Sequence, residues 1–380
     1  MAASIHEIIG REDDIERLWE LLELRSVLLT GPRRVGKTEL LRELVRDPKG
    51  GWRVVRADLE GGGSVEVAVD RIVEELDARG LGDSVLARAG ERLESIELAG
   101  VGVGVRGAKP RDGWARLKAA LLQAIAKLDE EERLVVALDE VPWWLDALER
   151  EGPPHAARGA LAELRRLRQD ERLRARVRFI FTGSVGLAGL AHDLGASAEL
   201  NDITPPTELR PLSPAAGRTV FDLAVSDREY KSTDAASARA HEISGGLPHW
   251  LKELAQRITP AVGDEVSLAD VDRAVQDLLQ PRLRSLFQDE ATEHLVRRYG
   301  EHDHPLVIAM LDAAAAPGGA PTEALITAVL ALRPDIGRRG AESLLYRLVD
   351  AYYLEQRGDG SWRFLVPLFR LWWERYGGTS

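Results

Sequence analysis

The chain of 380 residues contains no cysteine, which excludes disulfides and thiolate-bound metals. A reducing compartment such as the cytoplasm is the expected setting. No run is apolar enough to cross a bilayer, and the opening MAASIHEIIGRED has neither a basic n-region nor an apolar h-region, so no membrane or secretory role is expected. Lysine is scarce, at positions 37, 49, 109, 118, 127, 231 and 252 alone, and Arg carries the rest of the basic charge. Net charge is −11, which argues against wholesale nucleic-acid binding through a basic surface. One absence is local: from Gly183 through Leu209 there is no Arg or Lys.

What is present is an ordinary globular composition, 44% hydrophobic and 30% charged, in a chain long enough for about two or three domains. Short apolar runs at 26–30, 52–59, 133–140 and 177–181 have the length and bounds of buried strands, with a fifth expected at Glu208–Leu212. Helical spacing appears at 15–24, 37–45, 65–78, 85–93, 117–128 and 161–173, and a Gly-rich run at 96–105 alternates like an inserted strand. Strands alternating with helices predict an α/β domain with a mostly parallel sheet over the first 213 residues. From Pro214 the pattern turns helical, at 216–224, 234–243, 247–257, 268–279 and 281–298. Three shorter helices at 304–314, 321–332 and 338–349 and a hairpin over 352–365 describe a winged helix. The expected domains are therefore 1–213, 214–300 and 301–380.

The stretch LLTGPRRVGKTELL fits G-x-x-x-x-G-K-[ST], the Walker A pattern, with Gly31, Pro32, Arg33, Arg34, Val35, Gly36, Lys37 and Thr38. A phosphate needs converging backbone N–H donors, and a Gly-bearing loop entering a helix supplies them, here running on into Glu39. Lys37 is expected to reach the β- and γ-phosphates, and the Thr38 hydroxyl to bind Mg²⁺. The strand Leu134–Glu140 ends in two carboxylates 102 residues beyond Lys37, as a Walker B element does. Asp139 is expected to hold Mg²⁺ through water and Glu140 to orient the attacking water. In FTGS, Thr182 and Ser184 suit a sensor of the γ-phosphate, and equally a turn that needs Ser, Thr and Gly.

Ile9-Gly10-Arg11-Glu12, GPRRVGKTELL, LDEVPWW, FTGS, NDITPPTELRPLS, SGGLPHWL and PLFRLWWERYG follow one another along nearly the whole chain. In that order they resemble the archaeal-type ATPases, which belong to the STAND class of AAA+-like P-loop ATPases. The resemblance implies ATP or ADP with Mg²⁺ as cofactors, bound between the α/β domain and a helical lid. It also implies a five-stranded parallel sheet with the P-loop strand central, followed by that lid and a winged helix. Ile9, Gly10 and Arg11 match the segment against adenine and ribose, and Pro248 matches the lid proline that contacts the base. His249 beside it could reach a phosphate or be structural.

Ring-forming relatives place an Arg finger after the Thr-Gly-Ser strand, where this chain has none. Slow hydrolysis and a switch acting on a protein partner are therefore expected. The alternative is an ATP-dependent DNA-binding protein acting through the winged helix. Seven Arg crowd Arg165–Arg178, as a solvated face or as a nucleic-acid or partner surface, and Arg333, Arg338 and Arg339 open the helix that would read DNA. Residues 301–380 nevertheless hold eight Arg against ten acids. The C-terminal aromatics are expected mostly in a core, and one of Trp143 and Trp144 to be buried while the other reports on nucleotide.

Overall fold

The computed structural model describes residues 8–82, 113–183, 186–260, 263–283, 287 and 294–377. The expected helix at 85–93, the alternating run at 96–105 and Ser184 lie outside them. The chain divides into two compact units. One is made of Arg11–Thr30 and Lys37–Glu208; the other gathers the residues up to Gly10, Gly31–Gly36 and everything from Leu209.

The first unit is α/β. Its elements are α1 (Glu12–Leu24), β1 (Val27–Thr30), α2 (Lys37–Arg46), β2 (Trp52–Asp58), α3 (Val65–Ala78), α4 (Gly113–Lys127) and β3 (Arg133–Asp139). There follow α5 (Val141–Glu151), α6 (Ala156–Gln169), α7 (Glu171–Arg174), β4 (Val177–Thr182), α8 (Leu187–Asp193) and β5 (Thr207–Glu208). All five strands are parallel, in the order β2-β3-β4-β1-β5. The central strand is β4, so the P-loop strand β1 is not central as expected but one place from the edge. The middle goes to β3 and β4, whose runs are almost wholly buried, as a strand covered on both faces requires. The fifth strand is also earlier and shorter than expected. It pairs Leu29 with Thr207 and Thr30 with Glu208, and β1 offers no partner beyond Thr30.

Local chemistry explains the helix bounds. Ser64 Oγ accepts from Val67 N at 3.2 Å and starts α3. The single helix expected over 161–173 is broken at Asp170, which leaves helical geometry and whose carboxylate caps α7 by accepting from Arg172 N and Leu173 N. Helices α5 and α8 had no signal strong enough to be expected. The core packs Phe179, Phe181, Val136, Leu138 and Trp144, all at most 1% exposed. Trp144 Nε1 donates to Ser64 O at 3.3 Å, which settles the polar end of a buried indole.

The second unit is mainly helical: α9 (Pro214–Ser226), β6 (Lys231–Ser232), α10 (Asp234–Ser244), α11 (Pro248–Arg257), β7 (Glu265–Val266), α12 (Leu268–Leu278) and α13 (His294–Ala314). These are followed by β8 (Ala320–Pro321), α14 (Thr322–Leu332), α15 (Gly337–Asp350), β9 (Leu354–Gln356), β10 (Ser361–Phe364) and α16 (Pro367–Tyr376). Ser213, Thr233 and Ser267 cap α9, α10 and α12, the last in a capping box with Asp270. The helix expected over 281–298 is different: Pro281–Leu283 is a 3₁₀ turn, and α13 runs from His294 through the expected 304–314 helix. Gly300, at φ 66° and ψ 170°, kinks it where two helices were expected. Strands β8, β10 and β9 form an antiparallel sheet in that order. Helix α16 is tied back to the end of α12, since Tyr376 Oη and Arg375 Nη1 both donate to Leu279 O, at 2.7 and 3.2 Å.

Candidate functional site

The segment from β1 to α2 has the backbone its sequence calls for. Gly31 sits at φ 147°, and a methyl group there would stand 2.4 Å from Leu209 O. Gly36 sits at φ 103°, a conformation that L side chains rarely adopt. Arg34 takes a left-handed φ of 66° although it has a side chain, a strain of roughly 1 kcal/mol that something must hold in place. Helix α2 begins directly at Lys37, so its first N–H groups have no partner within the helix and suit an anion. Lys37 is only 6% exposed, Pro32 and Val35 are buried, and Arg33 and Thr38 are partly exposed. Glu39 points outward and pairs with Arg42.

Arg34 is gripped from two sides. Its Nη1 donates to His249 Nε2 at 2.6 Å, and its guanidinium carbon lies 4.7 Å from the Trp250 ring centroid. Burial is the main cause holding the His249 pKa down to about 4, helped by the positive charges of Arg34, Arg257, Arg33 and Lys252. A neutral imidazole is the form that can accept from an arginine. Trp250 stacks on Phe287 at 4.7 Å and 9°, Phe287 on Trp372 at 5.7 Å and 19°, and Trp372 on Phe369 at 5.8 Å and 8°. An unbroken aromatic stack thus runs from the phosphate loop's arginine to α16. The C-terminal aromatics are in a core, as expected: Trp372, Phe364 and Trp373 are 1%, 1% and 3% exposed.

In the α/β unit the strand register levels the remaining candidates. Leu29 pairs with Thr182, Leu138 with Phe181, and Asp58 with Asp139, so β1, β4, β3 and β2 end together at the carboxyl edge of the sheet. Asp139 is 1% exposed; its Oδ2 accepts from Arg56 Nη2 and Nε at 2.9 and 3.3 Å, and its Oδ1 from Glu140 N at 3.2 Å. Glu140 has a left-handed backbone, φ 55° and ψ 36°, directly before α5. Its Oε2 lies beside Gly183, 3.6 Å from where a methyl group there would be. Thr182 Oγ1 is buried with no hydrogen-bond partner among the described residues, an orphan hydroxyl at the end of the central strand. Sequence reasoning did not single out Arg56, although an arginine inside the apolar run Trp52–Asp58 is itself a signal.

The donors suit a hard cation. A buried carboxylate and a hydroxyl are what Mg²⁺ takes alongside water and phosphate oxygens, and among the described residues no cluster of three or more His, Cys, Asp or Glu forms an all-protein cage. Of the adenine-side candidates, Ile9 is partly buried, and the Gly10 backbone lies against α9, a methyl there standing 2.3 Å from Ala216 Cβ. Pro248 opens α11. Arg11, the residue just before α1, is 4% exposed and pairs with Asp14 in that helix's first turn at 3.0 Å.

The two arginine clusters are largely consumed by structure. Arg168 pairs with Asp202 at 2.7 Å, Arg165 with Glu199 at 3.5 Å, and Arg166 with Glu163. Arg176 and Arg178 donate to backbone carbonyls, those of Glu132 and Leu22 among them. Arg338 is held by Glu323 and Glu342, and Arg333 by Asp303. Trp144 is buried and Trp143 partly exposed. Among the described residues no helix is long and apolar enough to cross a membrane.

A parallel sheet, a Gly-bearing loop leading from β1 into α2, and a carboxylate-tipped strand two places away define the fold of a P-loop NTPase. The comparisons agree. Residues 7–180 match the AAA ATPase domain family. A Walker-type ATPase of Pyrococcus abyssi superposes with a TM-score of 0.65 at 17% identity, covering 97% of each chain. The ORC2 protein of Aeropyrum pernix in its ADP form gives 0.51 at 17% identity, covering 96% of this chain and 93% of that one. At such identity the likeness is one of fold. No curated protein matches the chain.

Proposed function

We propose that the protein is an ATP-binding, slowly hydrolysing switch of the STAND kind, which regulates a partner protein through a nucleotide-dependent rearrangement of its domains. In this reading the domains are an ATPase domain at 1–213, a helical lid at 214–300 and a winged helix at 301–380. The order of α13, β8, α14, α15, β9 and β10, with its three-stranded sheet, supports the last of these. Gly31 to Thr38 would cradle the phosphates through backbone N–H groups, and Lys37 would bridge the β- and γ-phosphates. Thr38 and Asp139 would hold Mg²⁺, which neutralises phosphate charge when bound. Glu140 would orient the attacking water and accept its proton, and the orphan Thr182 hydroxyl would sense the γ-phosphate.

The observation that carries the switch is the stack from Arg34 through Trp250, Phe287 and Trp372, because it gives the phosphate loop a packed route to α16. A ligand shifts such an element only by binding its two states differently. Hydrogen exchange of 367–376 with and without Mg·ATP tests this. Protection should change in the wild type and stay constant in Lys37→Ala; identical exchange in both would refute the switch. Binding to DNA is the weaker reading, because Arg333 and Arg338 are already neutralised by carboxylates.

A further inference from the structure

Asp139 has a companion that nucleotide binding does not require. Arg56, on the neighbouring strand β2, clasps its Oδ2 through both Nε and Nη2. The same Nη2 also reaches Asp58 Oδ2 at 3.0 Å. Register explains the arrangement. Asp58 stands opposite Asp139, and Arg56 lies two residues earlier on the same face of β2, so one guanidinium spans two carboxylates of different character. Asp139 is 1% exposed, Asp58 49%.

A buried carboxylate without a counter-charge is strongly disfavoured, and Arg56 is the cation that compensates Asp139 in the absence of metal. A divalent cation served by Asp139 would supply the same compensation, and two cations around one carboxylate repel. Arginine cannot relieve this by losing its proton. It can move. Asp58 is solvated, is already within reach, and is held in place by Glu60 N at 3.1 Å, while Arg71 leaves its side chain alone and donates to the carbonyls of Asp58 and Glu60.

We propose that Arg56 is an exchangeable counter-ion: it neutralises Asp139 in the metal-free protein, passes to Asp58 when a divalent cation arrives, and so sets the affinity for that cation. The proposal rests on the nucleotide-site reading above. It makes Arg56 a positioning residue, acting through Asp139.

The test is Mn²⁺ binding, followed by electron paramagnetic resonance in the presence of ADP, with melting temperature as a second readout. Arg56→Gln, which removes the charge and keeps much of the length, should bind Mn²⁺ about fivefold to tenfold more tightly. It should also melt lower without metal and gain more on adding Mn²⁺ and ADP. Asp58→Asn keeps the acceptor for Glu60 N but removes the receiving charge, and it should bind Mn²⁺ several-fold more weakly, with a metal-free melt lowered only slightly by the loss of the half-exposed Arg56–Asp58 pair. Should Arg56→Gln fail to fold, Asp58→Asn still decides. Unchanged Mn²⁺ affinity in the folded variants, with the wild type binding normally, overturns the exchange alone. A wild type that binds neither ADP nor Mn²⁺ overturns the nucleotide-site reading and the exchange with it.

Discussion

Arg34 of the phosphate loop and Trp250 of α11 form a cation–π pair, the guanidinium carbon 4.7 Å from the ring centroid, and Trp250 is only 1% exposed. The pair fixes a loop residue whose backbone is strained. Its left-handed φ persists because the side chain has somewhere specific to go, between His249 and Trp250.

Coupling between these residues should be measurable by a double-mutant cycle. Arg34→Ala and Trp250→Leu each lose the contact, so the double variant should lose less stability than the sum, by about 1 kcal/mol in denaturant unfolding. Strictly additive losses would mean that the stacking geometry carries no coupling.

His249 makes the same grip pH-dependent. Its folded pKa of about 4 lies below the ordinary 6.5, so between these values the unfolded chain binds more protons than the folded one. Stability from this group is therefore complete above pH 6.5 and is lost as pH falls towards 4. Protonation would also set a positive ring against Arg34, Arg33, Arg257 and Lys252. The melting temperature should fall from pH 7 to pH 5 more steeply in the wild type than in His249→Gln. Burial lowers the pKa of His304 as well, and that contribution cancels in the comparison. Parallel curves would show that His249 titrates normally.

Much of this architecture was open to inspection in the amino-acid order, for reasons that differ by element. Helix 65–78 and the starts of α10 and α11 could be placed because a capping Ser or Thr, or a proline at the first turn, marks where the backbone changes. The phosphate loop and the Asp139-Glu140 pair could be placed because phosphate chemistry permits few residue types at those spacings. Strand order could not, since periodicity reports which faces are buried and says nothing of lateral neighbours; hence the displaced β1. Arg56 stands out inside an apolar run, but its pairing with Asp139 is a consequence of the same register and was hidden. So was the partner of Arg34, 215 residues away in sequence.

Lys37 should dominate nucleotide affinity. The residue is only 6% exposed at the first position of α2, and replacement by Ala removes the charge expected to bridge the β- and γ-phosphates. ATP affinity should fall at least tenfold, about 1.4 kcal/mol, by calorimetry. Equal affinity would sink the phosphate-loop assignment.

Glu140 should separate binding from turnover. Its carboxylate lies beside Gly183 at the end of β4, and metal binding is the role proposed for its neighbour Asp139 instead. Glu140→Gln should bind ATP like the wild type and hydrolyse it at least a hundredfold more slowly, within the usual range for a lost general base. Retained turnover would assign the base elsewhere.

The last expectation concerns the missing finger. Residues 183–209 contain no Arg or Lys, so a neighbouring copy has no guanidinium to offer from the segment where ring ATPases carry one. An arginine finger is worth three to five orders of magnitude in turnover. Basal hydrolysis should then lie well below about 1 s⁻¹, and its rate per subunit should be flat across a wide range of protein concentration, because no site is completed in trans. Arg33 and Arg34 do not change this expectation, since both are supplied in cis and Arg34 is held by His249 and Trp250. Phosphate release per subunit, titrated alongside mass photometry, is the deciding measurement. Specific activity rising steeply as hexamers or heptamers form would identify a ring motor, and the switch would have to be abandoned.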